Sequence, residues 1–451
     1  MSRQELSAVI AIALLMAFRM LGMFMILPIF ATQAIHLVGA TPGLIGLALG
    51  IYGLTQALLQ IPFGALSDHI GRKPVIAFGL ILLILGSIIA AHAQTLYGII
   101  LGRAIQGAGA IGSTCLALLA DLTRDQHRSK AMAMVGMMIG LSFSIAIVLG
   151  PLLNHAFNLA GVFYTTALLG GIALVLLFTL IGTPPTLSAP PEQRPSLARY
   201  LSVIRDTQLL RLDLGIFCQH AILTSLFVVL PLILTHQLQL ASHQQTILYL
   251  TVLAVAFIAS IPLIIVAEKR RKIKPVFLMA IATLAITSGG FIKASHSVAD
   301  TVTLLFLFFC AFSLLEACLP SLVSKTATIT LKGLAMGIYS TSQFMGIFVG
   351  GSLSGWLYGH TGTNGVLLIM ACLGILWFLA AFSMKHPPYL STIILPAPLD
   401  KAAQLATQLP QTDGIADAAF SKHEQLMYIK IDKHIISTNE LRNLVEDGSL
   451  A

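Results

Sequence analysis

Apolar stretches of about 20 residues, long enough to cross ~30 Å of hydrocarbon as helix, alternate along this chain with short polar breaks. Twelve can be marked, at 8–35, 43–66, 75–92, 96–121, 130–155, 161–182, 212–236, 245–267, 275–293, 301–323, 333–358 and 364–384. Lipid offers an unpaired peptide group no partner, so each stretch is predicted to be a helix. Arg3 ahead of the first stretch imitates a secretory signal. The apolar run nevertheless continues from Ala8 to Ile35 without a small-residue cleavage site, so it reads as a retained first span.

The longest polar break, Thr183–Leu210, carries Pro184, Pro185, Pro190, Pro191 and Pro195 and divides the spans six and six. Proline-rich sequence makes a semi-rigid linker. Within it Leu197, Tyr200, Leu201 and Ile204 fall on one helical face, with Arg194, Arg199 and Arg205 elsewhere, so a short helix on the membrane surface stands beside plain linker as a reading. Beyond the last span the pattern changes to strand (Ser391–Leu395), helix (Leu399–Leu409), strand (Ile415–Ser421), strand (Leu426–Asp432) and helix (Thr438–Glu446). Asp413-Gly414 supplies a turn, and Ser437 with Glu440 a capping pair. The expected fold class is an all-α polytopic membrane protein with twelve transmembrane helices in two six-helix bundles, 1–182 and 212–386. A linker at 183–211 joins them, and a small α+β domain at 387–451 follows.

Composition sharpens this picture. Of 451 residues 57% are apolar and only 10% charged, against ~45–50% apolar and ~25% charged in soluble domains. An ordinary soluble enzyme is excluded, and no P-loop, metal cluster or Ser/His/Asp constellation argues for a membrane-bound one. Residues 1–389 hold 21 Lys and Arg against 10 Asp and Glu, whereas 390–451 hold 5 against 8. The basic excess thus belongs to the membrane part, and nucleic acid is not an expected partner. If the first residue lies inside, 18 loop Lys and Arg fall on the inner side and one, Lys293, on the outer. Positive loops stay cytoplasmic, which puts both termini there and the chain in the inner (plasma) membrane. Cys115, Cys218, Cys310, Cys318 and Cys372 all lie in apolar runs without metal or redox spacing and read as small buried hydrophobes.

One loop carries a signature. Between spans 2 and 3 stands Gly64-Ala65-Leu66-Ser67-Asp68-His69-Ile70-Gly71-Arg72-Lys73-Pro74. Gly64 permits close helix contact, Gly71 a tight turn, and Arg72-Lys73 meets the cytoplasmic leaflet. Asp68 suits the amides of a helix N-terminus, and Arg72 needs an acid, for which Asp121 at the end of span 4 is available. The loop resembles the G-x-L-x-D-x-x-G-R-K/R loop of the major facilitator superfamily, and Arg103-Ala104-Ile105-Gln106-Gly107-Ala108-Gly109 is similar to that superfamily's R-x-x-Q-G-x-G motif. The resemblance implies two bundles working by alternating access. It also implies an Asp68, Arg72, Asp121 cluster that latches the outward-open state to span 11.

Arg19-Met20-Leu21-Gly22-Met23-Phe24, Leu315-Glu316-Ala317, and Leu319-Pro320-Ser321-Leu322-Val323-Ser324-Lys325, together with the α+β tail, look like the superfamily's proton-driven drug-efflux transporters with a cytoplasmic C-terminal domain. In that group the tail is similar to ferredoxin-like metal-associated folds. Here 373–451 contain no cysteine, so thiolate metal binding is not expected. Gly150-Pro151 begins the superfamily's G-P-x-x-G-G antiport pattern in span 5, but Leu152-Leu153-Asn154-His155 follows, keeping the proline bend without the glycines.

Ionisable groups inside hydrocarbon cost ~2.5–3.5 kcal/mol each on the insertion scale and therefore mark function. Glu316 is the only carboxylate deep in any span so marked and is the expected proton-coupling acid. His220 is the candidate to share its proton. Arg19 is a fixed cation serving as gate, partner of Glu316 or substrate contact; Arg103 with Gln106 is a cavity-side or packing pair. Gly107 to Gly112 also fits G-x-G-x-x-G, but inside an apolar helix that is a chance match. Gly46/Gly50, Gly136/Gly140 and Gly351/Gly355/Gly359 have the spacing that lets helices in lipid pack closely. Phe18, Phe24, Tyr52, Phe217 and Phe344 are candidates to line a cavity.

The function expected is a proton-coupled antiporter, acting as a monomer without a cofactor, that exports amphipathic solutes, cations included. A symporter or facilitator for a small polar metabolite, or a sensor signalling through its tail to an unknown partner, are the alternatives.

Overall fold

The computed structural model describes residues 1, 3–182, 197–294, 297–385, 389–396, 402–421, 426–432 and 434–447. Its membrane part consists of α1 (Arg3–Phe24), α2 (Leu27–Gln33), α3 (Pro42–Ile70), α4 (Arg72–His92), α5 (Leu96–Ala108), α6 (Gly112–Leu122), α7 (Asp125–Thr179), α8 (Leu197–Arg205), α9 (Thr207–Leu232), α10 (Ser242–Lys269), α11 (Ile273–Ala294), α12 (Val298–Thr326) and α13 (Lys332–Phe382). Several starts are set by side chains that accept from otherwise orphaned amides. Thr41 accepts from Leu44 and Thr95 from Gly98, each at 3.3 Å, and Asp206 accepts from Gln208 at 2.8 Å and Leu209 at 3.2 Å.

Among the described residues ten segments are long and apolar enough to cross a membrane, and two of them, Lys130–Thr179 and Ile329–Phe382, have 50 and 54 residues. At 1.5 Å per residue each is about twice the needed length. Both fold back on themselves. In α7 the chain leaves helical geometry at Asn158 (φ 57°, ψ −174°). His127 lies beside Met1 and Gly150 beside Met25, so this half climbs with α1. Past the break Tyr164 meets His92 and Gly170 meets Ile84, so it descends along α4. In α13 the break is Gly362 (φ 67°, ψ −163°). Gly346 and Gly350 climb beside Phe217 and Ala221, and Ser383 returns to Arg211. The membrane part therefore has ten to twelve spans, depending on whether each long segment counts once or twice. The expected fourth span is interrupted at Gly109-Ala110-Ile111, between α5 and α6.

The two bundles touch at one end. We call the face bearing Met1 and the tail the terminal face and the opposite one the far face. Near the far face a Cβ on Gly46 would run into the Gly351 carbonyl and stand 2.6 Å from Gly355 Cα, and one on Gly53 would strike the Phe344 carbonyl. Here α3 and α13 meet backbone to backbone, as the Gly46/Gly50 and Gly351/Gly355 spacing predicts. A small cleft of about 180 Å³ lies there between Ala31, Pro42, Val228, His236 and Tyr358. At the terminal end of α13, Gly333 and Gly337 have nothing within 4 Å of an added Cβ, and Ile70 at the end of α3 is exposed. The bundles are splayed on that side. Gly136 and Gly140, expected to pack tightly, also have nothing within 4 Å.

The Pro-rich stretch 183–196 lies outside the described residues. The surface helix expected after it is α8, with Leu201 and Ile204 outward and Val203 buried. The tail forms β1 (Ser391–Pro396), α14 (Ala402–Gln408), β2 (Ile415–Ser421), β3 (Leu426–Ile431) and α15 (Thr438–Asp447). Its strands pair antiparallel in the order β1-β3-β2. The strands and last helix stand where the sequence pattern put them; positions 399–401 of the expected first helix are outside the described residues. Ser437 and Glu440 cap α15 reciprocally, at 3.2 and 2.8 Å.

Strand alternation decides how this tail docks. Met427, Ile429 and Ile431 enter its own core with Leu405, Leu409 and Leu441, so Lys430 points the other way. Its ammonium is buried against the end of α12, donating to the carbonyls of Ser324 (3.1 Å), Lys325 (3.2 Å) and Ala327. Asp417 accepts from the Ile329 amide at 2.8 Å, and Asp432 pairs with Arg271 in the α10–α11 connection. That guanidinium holds the Asp432 carboxyl below the usual carboxylate range, so this contact persists at neutral pH and is lost only as strong acid protonates it.

Replacing Gly46 and Gly355 together by alanine is expected to force α3 and α13 apart and open the far face. A membrane-impermeant maleimide should then label an Ala31→Cys probe faster than in the glycine parent; unchanged labelling would contradict the close seam.

Candidate functional site

Two clusters carry the chemistry, one in the C-terminal bundle and one at the terminal face of the N-terminal bundle.

In the first, α9 presents Gln219 and His220 to α12. The Gln219 amide donates to Glu316 Oε2 at 2.9 Å and to the Phe312 carbonyl at 3.3 Å. His220 Nε2 lies 3.9 Å from the same carboxylate oxygen. It receives the Gln343 amide of α13 at 2.8 Å. With that amide donating, Nε2 is an acceptor, the ring is neutral and its proton sits on Nδ1. His220 is 2% exposed and Glu316 32%, so the acid retains contact with its surroundings while the base is sealed.

This cluster corrects one sequence expectation. Glu316 is not the sole buried carboxylate in a span, because α9 begins at Thr207, five residues earlier than the marked stretch, and Asp213 lies inside it, 6% exposed. Asp213 is seven residues before His220, two turns along the same face. Tyr339 of α13 is buried, its hydroxyl has no hydrogen-bond partner among the described residues, and it lies in the electrostatic field of both Glu316 and Asp213. Sequence reading missed Gln219, Gln343, Tyr339 and Asp213. Only the seven-residue interval from Asp213 to His220 was available to find them.

In the second cluster the chain turns at Gly71, whose φ of +97° is open to glycine at no steric cost. The turn sets Arg72 at the first position of α4, facing back on α3. Its guanidinium pairs with Asp68, binds Asp121 Oδ2 through Nε at 3.1 Å and donates to Ser67 Oγ at 2.6 Å. Asp68 thus sits with Arg72 and Asp121 in the cluster that the resemblance implies, and not on the helix amides that its position alone suggested. A Cβ on Gly64 would stand 3.4 Å from Ser113 Oγ of α6, an ordinary contact, so the close approach expected to require glycine here is not seen. The partners of this cluster all belong to the N-terminal bundle.

Arg103 and Gln106 form the pair expected of them, at 3.0 Å. Arg103 also reaches the Ala48 carbonyl at 3.4 Å and stacks 4.8 Å from the Tyr52 ring centroid, and Gln106 donates to Ser87 at 2.8 Å. Both are buried and tie α5 to α3 and α4, which makes them a brace within one bundle. In span 5 a Cβ on Gly150 would strike the Met25 carbonyl, so this glycine is where α7 crosses the end of α1; Pro151 follows inside the helix. Among the described residues no ion pair or hydrogen bond joins Arg19 to Glu316.

A half-buried acid beside a neutral amide and a neutral imidazole can take up and release a proton with little rearrangement, and a titratable group in a span is the ordinary seat of coupling. A family profile, Major Facilitator Superfamily, matches residues 12–328 and 212–407. The inner membrane transport protein YajR of Escherichia coli (strain K12) is 42% identical over 433 residues, 95% of either chain. The multidrug resistance protein MdtH of Aeromonas salmonicida (strain A449) is 26% identical over 382 residues, 81% of this chain and 92% of that one. The crystal structure of a D-xylose-proton symporter matches with a TM-score of 0.68 at 16% identity, covering 85% of this chain and 98% of that one, a likeness of fold.

Arg103→Lys keeps the charge but loses the fork and the stacking on Tyr52. It is expected to destabilise the purified protein by about 2 kcal/mol, seen as a lower thermal midpoint. An unchanged midpoint would remove the brace from the account.

Proposed function

Because the chain belongs to the major facilitator superfamily, we propose that it is a proton-coupled antiporter of the inner membrane that exports amphipathic compounds by alternating access. We count α7 and α13 as two spans each, which makes twelve, with the terminal face cytoplasmic. The 18-to-1 distribution of loop Lys and Arg supports that orientation. The relatives named as an inner membrane transport protein and a multidrug resistance protein support the location and the solute class.

The observation that carries the reading is Glu316, half-buried between a neutral amide and a neutral histidine. With the far face closed by the glycine seam, this state faces the cytoplasm, and the proton on Glu316 leaves to that side. The empty carboxylate accepts from Gln219 and waits for solute. Reorientation requires the terminal face to close and the seam to part. Asp68, Arg72 and Asp121 then meet the start of α13 as a latch. A membrane potential of about 150 mV supplies ~3.5 kcal/mol per inward charge, enough for a gradient of a few hundredfold.

A second reading, a sensor, draws on one feature: the tail holds the α12–α13 connection through Lys430 and Asp417. Removing residues 390–451 separates the two, since a transporter keeps basal flux and a sensor loses its output.

Glu316→Gln, reconstituted in proteoliposomes, is expected to abolish flux driven by an imposed pH gradient while solute exchange at equal concentrations continues. Gradient-driven flux at the parent rate would end the proposal.

A further inference from the structure

Arg19 of α1 is the one guanidinium buried among the described residues with no hydrogen-bond partner. It is 2% exposed, yet Nε, Nη1 and Nη2 all lack acceptors. A buried unpaired guanidinium is costly enough that it must be compensated when the site is in use. Its surroundings point to the compensating charge. An added Cβ on Gly112, the first residue of α6, would stand 3.6 Å from Arg19 Nη1 and 3.8 Å from Gln60 Oε1, with nothing nearer. The guanidinium therefore lies against the start of an 11-residue helix whose N-cap, Ile111, offers no side-chain acceptor.

The first amides of that helix have no carbonyl of their own to bond, and the helix dipole makes the place positive. Gly112 contributes no side chain to screen them. Two residues on, Thr114 Oγ1 is fully buried and also unpartnered. The neighbouring acceptor, Gln60 Oε1, is already engaged by the Gln56 amide at 3.1 Å. From the other bundle, the Phe344 ring centroid lies 6.0 Å from the guanidinium carbon.

We propose that Arg19 and the open N-terminus of α6 form an anion site. It takes a carboxylate or sulfonate group of the transported solute, or a free inorganic anion of the same charge. A solute held there sets its charged group on Arg19 and its apolar body toward Phe344, across the gap between bundles. Its acceptance is then decided by one positive centre, and exchange of a monoanion outward for a proton inward moves two charges. This rests on the transporter reading for its purpose and on Arg19, Gly112 and Thr114 for its existence.

The test is thermal unfolding of the purified full-length protein at fixed ionic strength and pH 7, titrated separately with sodium chloride, sodium naphthalene-1-sulfonate and tetraphenylphosphonium. A saturable rise in midpoint with an anion is expected in the parent and in the loop control Lys293→Gln. It should be lost in Arg19→Gln and weakened about tenfold or more in Arg19→Lys, which keeps charge but not the fork. Half-saturation by the sulfonate at lower concentration than by chloride identifies the solute's own group; equal or tighter chloride identifies a free anion. If Arg19→Gln shows no cooperative transition, Arg19→Lys and Thr114→Val carry the comparison. No saturable effect of either anion, an equal effect in the Arg19 variants, or stabilisation by the cation alone overturns the proposal. Gradient-driven flux is measured in parallel. Anion saturation without flux fails the transporter reading and leaves the site; flux without anion saturation does the reverse.

Discussion

A charge withdrawn from water must be met by dipoles or by an opposite charge, and that requirement orders the interior of this protein. Arg103 is met by Gln106, the Ala48 carbonyl and the Tyr52 ring, and the result is a rigid brace. Arg72 is met by Asp68, Asp121 and Ser67 in a half-exposed corner, where the attraction is screened and breakable. Glu316 is met by one neutral amide, which serves it whether or not it carries a proton. Arg19, among the described residues, has no hydrogen-bond partner, only the Phe344 ring 6.0 Å away. Equal residue types thus acquire different roles through how completely their neighbours compensate them.

The second constraint applies to the proposed alternating access, in which the bundles have to separate without leaving peptide groups bare in lipid. The seam answers it with glycines, because a contact of backbone surfaces without interlocking side chains can part and reform at small cost. Within the N-terminal bundle the chain is broken at residues 109–111, and that break is what exposes the amides of α6 beside Arg19. Interruptions of helix in a membrane are tolerated where the freed groups line a protein interior, and here the interruption coincides with the central unpaired cation.

The tail attaches to the connections on either side of α11 and α12, and so to the helix that carries Glu316. Lys430 donates to the last carbonyls of that helix, and Asp417 accepts from the amide that leads into α13. Two features available to any strand, alternation of faces and a long flexible lysine, are enough to turn a small sheet into a cap on a membrane helix.

The apolar periodicity by itself determined which residues enter the membrane and the β-α-β-β-α succession of the tail, since these depend on composition over windows of neighbours. It also singled out Glu316, His220, Arg19 and Arg103, because a charge in an apolar run is visible without coordinates, while the loop motif singled out Arg72. Asp121 for Arg72 and Gln106 for Arg103 were also legible; the partners of Glu316 and His220 were not. Gln219 and Gln343 are unremarkable in sequence, and Asp213 stood at the edge of a stretch until the true start of α9 took it inside. That Arg103 is satisfied and Arg19 is not, and that Gly46 meets Gly355 while Gly136 meets nothing, only the tertiary structure decided. Most of this compensation and contact joins residues tens to hundreds of positions apart, such as Gln219 with Glu316 and Gly46 with Gly355, and no local pattern encodes it.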